Sequence, residues 1–350
     1  MFEGFKHHTY PGEKKKNRNE RRLATSSDDT KEKRTAHGSR DENVDTESLE
    51  EKYREAQKMI SEVISHINER VLYETFAEEL GKSGGDIATM NFIPLEKIEH
   101  RYENINIAEY GVSNNLIGID IITNAKVLEK KEVKPSDAQR RLEILHSVIH
   151  EETHAVAHTT FLEQTGINHD DEVILHAVVR AGYRKSEQRL TKTPTGIVSE
   201  RTDVHRAINE GVTELLAQRI LKTYNQRSPL IDTTHAERDV FIQQLKKITG
   251  SSYSKEVYAA KLYATLLSEA TGVPYENVEN ALVRGYLRGA EFISDEAVTL
   301  LDELLGDSMG KFLKTMSENN TSTNPFEDAL SQADIKIPPA KALKLLEELV

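Results

Sequence analysis

Two imidazoles and a carboxylate stand at helical spacing in His150-Glu151-Glu152-Thr153-His154. Residues four apart on an α-helix are separated by about 400° of rotation, so they lie about 40° apart on one face. His150 and His154 can therefore share one tetrahedral ion. Glu151, rotated about 100° from His150, can stand beside a water on that ion, take its proton and pass it to a leaving amine. The chemistry this spacing suits is metal-assisted hydrolysis of a peptide bond.

The surrounding residues fit a helix that lines a cleft. Glu143, His146, Ser147, His150, Glu151, Thr153, His154 and His158 form one polar stripe. Leu142, Ile144, Leu145, Val148, Ile149, Ala155, Val156 and Leu162 fill the opposite arc. A solvated helix face would carry Lys and Glu; this one carries four histidines. The pattern predicts a long helix from Pro135-Ser136-Asp137, with Ser136 and Gln139 as a capping box and Gly166 as its stop. Glu152 falls inside the apolar arc, near Thr159. A lone buried carboxylate there requires a partner or an exit to solvent.

A third ligand must come from elsewhere. Ile208-Asn209-Glu210-Gly211-Val212-Thr213-Glu214-Leu215-Leu216-Ala217 puts Glu210 and Glu214 on one face of a second helix. Small Ala207, Gly211 and Ala217 flank them and suit a close approach to the first helix. Two carboxylates facing two imidazoles have the chemistry of a His₂Glu zinc site, with one carboxylate supporting a histidine from behind. The metzincin pattern would place glycine at position 157 and histidine at position 160; the chain has Ala157 and Thr160. His169 follows His154 by 15 positions, which resembles the three-His spacing of SprT-like proteases, although Asn168 and Asp170-Asp171 do not resemble that family's ligand segment.

HExxH followed by Asn-Glu-Gly-x-x-Glu resembles the gluzincin metallopeptidases, the thermolysin-like and aminopeptidase N-like families. The resemblance covers the two motif helices and, loosely, the strands before them. It implies His150, His154 and Glu210 as Zn²⁺ ligands, Glu151 as general base, and Glu214 as the acidic residue that supports a ligand histidine. It also implies that residues 86–133 form a sheet whose edge strand holds the substrate backbone. A transition-state stabiliser is expected C-terminal to the third ligand, with Tyr258, Tyr263 and Tyr286 as candidates. His154 and Glu210 are 56 positions apart, more than is usual for the family, so an insertion at about 167–202, a hairpin, is expected between them. No GxMEN-like anchor for a substrate amino terminus is present, which favours an endopeptidase over an exopeptidase.

The rest of the chain frames these elements. Its 350 residues carry a formal net charge of −12 and no cysteine, so a metal site must use His, Asp and Glu. The acidic balance argues against nucleic acid as a partner, and no apolar run matches a membrane span. The partner expected is a peptide or protein substrate. The first residues lack the apolar core of a secretory signal, which makes the cytoplasm the default compartment. Residues 1–45 read as a disordered tail. A helical pattern covers about 46–80, strands cover 86–133 with turn chemistry at Asn114-Asn115 and Thr123-Asn124, and helices dominate from about 235 onward. The fold expected is α+β, mostly α: a zincin-like domain with a helix and sheet over 46–135, the zinc-site helices over 136–225 and a helical subdomain over 226–350. A reading from another class is a non-catalytic helical scaffold with a structural or degenerate zinc site. Glu151 argues against it, since a structural site has no use for a base beside an open coordination position.

Overall fold

The computed structural model describes residues 46–84, 90–103, 108–111, 114–130, 137–157, 159–167, 173–193, 196–229, 254–288 and 337–349. The expected N-terminal tail and His169 lie outside the described residues. Over those residues the fold is mixed α and β, mostly helical, with two small sheets. None of the described helices is long and apolar enough to cross a membrane.

The first helical stretch is two helices, α1 (Thr46–His66) and α2 (Glu69–Lys82). Asn68 divides them. Its side chain accepts from Val71 N and caps α2, and its own amide donates to the Tyr224 hydroxyl. Strands β1 (Ile98–Arg101), β2 (Ala108–Gly111) and β3 (Leu116–Asp120) form a sheet of order β1-β3-β2. β1 runs parallel to β3, and β2 runs antiparallel to it along one edge. The strand expectation fails after Asp120, where helix α3 (Ile121–Lys130) begins. Asp120 Oδ1 accepts from Thr123 N at 2.6 Å and so starts a helix where Thr123-Asn124 suggested a turn.

Helix α4 (Asp137–Val156) carries the HExxH segment and packs on β2 and β3. It ends ten residues before Gly166. Thr159-Thr160-Phe161 is β-branched and aromatic, and it opens strand β4 (Thr159–Ile167) instead. β5 (Val173–Ala181), β6 (Arg184–Thr193) and β7 (Gly196–Val204) follow as an antiparallel meander of order β4-β5-β6-β7. The insertion is thus four strands over 159–204, larger than a hairpin over 167–202. Helix α5 (Arg206–Arg227) returns the chain to α4.

Ile208, Val212, Leu216 and Ile220 are fully buried, and α5 also packs against α2, α6 (Ser254–Thr271) and α7 (Tyr275–Arg288). Gly211 serves α6 and not α4. A Cβ on it would lie 2.2 Å from Glu256 O, so only glycine permits that helix contact. A last helix, α8 (Pro339–Leu349), packs on α6 and α7.

Candidate metal centre

α4 and α5 bring His150, His154 and Glu210 together. One ligand atom from each lies within 4.8 Å of the other two. Glu210 Oε2 is 3.5 Å from His150 Nε2 and 3.3 Å from His154 Nε2. Ligands held about 2.0–2.1 Å from a tetrahedral ion stand roughly 3.3–3.4 Å apart, close to both distances. Glu210 Oε2 is buried and accepts no hydrogen bond. A buried anionic oxygen beside two imidazole nitrogens suits a cation between them. The three residues can hold a metal ion.

The surroundings orient that set. His150 Nδ1 lies 2.8 Å from Glu214 Oε2. A carboxylate only accepts, so Nδ1 carries a proton and Nε2 is the ring atom directed toward Glu210. Glu214 Oε1 accepts from Gln218 Nε2 and lies 2.8 Å from His146 Nε2. Thr213 Oγ1 stands 3.5 Å from His154 Nδ1, at the long limit of a hydrogen bond.

Charge in the metal-free cluster follows from this packing. Burial alone would lower the His150 pKa, but the Glu210 and Glu214 carboxylates beside its ring and the charge of Glu151 raise it to about 10. Burial would raise both carboxylates. His150 and His154 hold Glu210 well below the usual carboxylate range, and His146 with His150 does the same for Glu214. A proton on His150 thus occupies the role a cation would take.

Glu151 lies on the β2 side of α4. Its Oε2 accepts from the backbone N–H of Tyr110, on the edge strand, at 2.7 Å. Glu152 turns into the core, 1% exposed, and finds its partner in the backbone N–H of Ile93 at 2.6 Å. Burial raises its pKa well above the carboxylate range despite that bond.

Of the three candidate tyrosines, Tyr286 reaches the underside of the site. It is fully buried, its hydroxyl donates to Thr153 O at 3.1 Å, and Thr213 Oγ1 lies 2.9 Å from it. It braces α4 against α5. Tyr263 is buried within the packing of α6, and Tyr258 on the same helix is half-buried against the core. Sequence reasoning missed Tyr110, whose backbone meets Glu151, and Asn209. Asn209 Oδ1 accepts from Tyr183 N and Arg184 N, which anchors the β5–β6 turn beside Glu210. Set against family models, characterised proteins and solved structures, the chain matches none of them.

Proposed function

We propose that the protein is a zinc-dependent endopeptidase of gluzincin type, hydrolysing peptide bonds in extended segments of a peptide or protein substrate. The observation that carries this reading is the meeting of two helices, His150 and His154 from one and Glu210 from the other, with Glu214 behind His150. Zinc held there would supply Lewis-acid polarisation of the scissile carbonyl and a lowered pKa for the attacking water.

The chain's own residues supply the remaining roles. Glu151 accepts the proton of the attacking water and returns it to the leaving nitrogen. Tyr110 N–H steadies one carboxylate oxygen and leaves the other for that transfer. Glu214 fixes the His150 ring and its tautomer. β2 supports an extended substrate: N–H and C=O of one strand residue point to the same side. Because Tyr110 N–H points away from β3, its carbonyl faces outward as an acceptor for a substrate amide.

The test measures zinc content and hydrolysis of a denatured protein by wild type, Glu151→Gln, Glu210→Ala, Glu214→Ala and His169→Ala. Glu151→Gln should keep zinc and lose about 10²–10⁴-fold in activity. Glu214→Ala should weaken zinc binding by about 10–100-fold, and Glu210→Ala by more. His169→Ala should leave both unchanged. Zinc retained by Glu210→Ala and stripped by His169→Ala would replace this reading with the three-His protease. Bound zinc with no hydrolysis by wild type would favour the non-catalytic scaffold.

A further inference from the structure

We propose that Asn91, Tyr110 and Asn115 are positioning residues for Glu151, acting through the Tyr110 amide; this rests on the reading of Glu151 as the base. A glutamate side chain has three rotatable bonds, and a base must stay within hydrogen-bond reach of the proton it removes. Burial alone does not choose among its rotamers. The Tyr110 N–H does, at 2.7 Å from Oε2. That amide belongs to a four-residue strand that, among the described residues, pairs with β3 on one side only. Glu151 is therefore held only as firmly as this edge is held to α4.

The side chain of the same tyrosine closes the arrangement. Tyr110 OH donates to Asn115 Oδ1 at 2.8 Å. Asn91 Nδ2 lies 3.2 Å from Tyr110 OH, 2.9 Å from Asn115 Oδ1 and 3.2 Å from Ala155 O, three acceptors that its two N–H groups share. Asn115 Nδ2 returns a contact to Asn91 Oδ1 at 3.3 Å. Ala155 stands in the last turn of α4, where carbonyls lack helical partners, so Asn91 also caps the helix. Asn115 has φ +52°, a left-handed conformation that Asn and Gly tolerate.

Glu151 and Ala155 are four apart, one turn along α4 and about 40° in rotation. Tyr110 thus engages one helical turn at two points: its backbone amide at Glu151, and its hydroxyl, through Asn91, at Ala155. Loosening the second point lets the edge strand shift, and the amide shifts with it. A displacement near 1 Å at a catalytic group costs up to about 10²-fold in rate.

The experiment uses the full chain loaded with zinc, with denatured casein as substrate, in wild type, Asn91→Ala, Tyr110→Phe, Asn115→Gly and Asn115→Asp. Asn91→Ala and Tyr110→Phe should lower kcat by about 10–100-fold, with KM and zinc content within about threefold of wild type. Asn115→Asp keeps the acceptor oxygen and should retain kcat; Asn115→Gly keeps the backbone conformation, loses the oxygen and should not. A purely structural turn would tolerate glycine at least as well as aspartate. Hydrogen exchange at the Tyr110 amide gives a second readout that needs no turnover. It should accelerate about tenfold or more in Asn91→Ala, while β3 amides keep their wild-type rates. Unchanged Tyr110 exchange in both Asn91→Ala and Tyr110→Phe would overturn the proposal, as would unchanged kcat in an active enzyme. If wild type hydrolyses nothing, the exchange rates still decide the clamp, and the peptidase reading alone falls.

Discussion

The two sheets are built from similar residues and stand in different surroundings. In β3, Ile117 and Ile119 are fully buried, because α4 packs on that sheet. In β5, Ile174-Leu175 and Val178-Val179 are as apolar, yet every residue from Ile174 to Ala181 is only half-buried. Leu162 of β4 and Ile197 of β7 are 50% and 72% exposed. Strand-forming chemistry is therefore the same in a sheet that backs a site and in one that stands in solvent; the helices packed against it make the difference. The exception in the four-stranded sheet is its inner turn. Tyr183 is fully buried and its hydroxyl donates to Leu282 O at 2.7 Å, so that end belongs to the core.

A break at this inner turn should have the largest effect. Gly182 has φ +56°, and a Cβ there would lie 2.5 Å from the Tyr286 ring and 2.6 Å from Asn209 Oδ1. Gly182→Ala should cost about 3 kcal/mol, read as a lower urea midpoint at unchanged m-value. A midpoint equal to wild type would place the turn with the rest of its sheet.

The cluster between α4 and α5 has a pH signature. A cation binding at His150 Nε2 must displace the proton there, on the side of the ring that faces Glu210; the charges of Glu210 and Glu214 favour that proton. Apparent zinc affinity should therefore rise roughly tenfold per pH unit above neutrality and level off near pH 10. Competition titrations against a chelator at several pH values measure the slope; a flat profile would show that no proton is exchanged.

Glu152 sharpens the contrast within α4 itself. Its raised pKa means that its contribution to stability is complete below its ordinary value of 4.5 and is lost as pH rises through the folded value. Glu152→Gln keeps an acceptor for Ile93 N–H and cannot ionise. It should match wild type near pH 4 and exceed it by about 1 kcal/mol at pH 8, in thermal unfolding followed across that range.

The smallest effect belongs to the outer end of the four-stranded sheet. Gln164 faces His176, and Arg189 faces Glu200. Residues 164–176 and 189–200 can thus each be replaced by an Asn-Gly turn without disturbing the inner register. The shortened protein should unfold within about 0.5 kcal/mol of wild type and bind zinc equally well. A larger loss would show that the outer strands support the core.

Helical spacing makes His150, His154, Glu210 and Glu214 legible as two facing pairs, because the period of 3.6 fixes a face without any tertiary knowledge. It does not fix which strand comes to lie over Glu151, so Tyr110, Asn91 and Asn115 stay hidden until the edge strand is seen beside α4. Ile93 is hidden for a further reason: its contribution to Glu152 is a backbone N–H, which every residue but proline offers. The end of α4 is hard to read because Leu162 continues the helical apolar spacing while Thr159-Thr160-Phe161 favours a strand, and the strand prevails.

The length of the insertion carries a consequence for how the two halves of the candidate metal centre find each other. His154 and Glu210 stand 56 positions apart, yet closure entropy grows only with the logarithm of chain length, about 0.6 kcal/mol per doubling. The meander also removes most of that disorder by itself, since each strand pairs with its neighbour along the chain. The paired strands form a bracket with Thr159 at one foot and Val204 at the other, each within a few residues of the helices that carry His154 and Glu210. A bracket of this kind can gain or lose strand pairs at its far end while its feet keep their spacing, so its reach into solvent can vary independently of the geometry at Glu210.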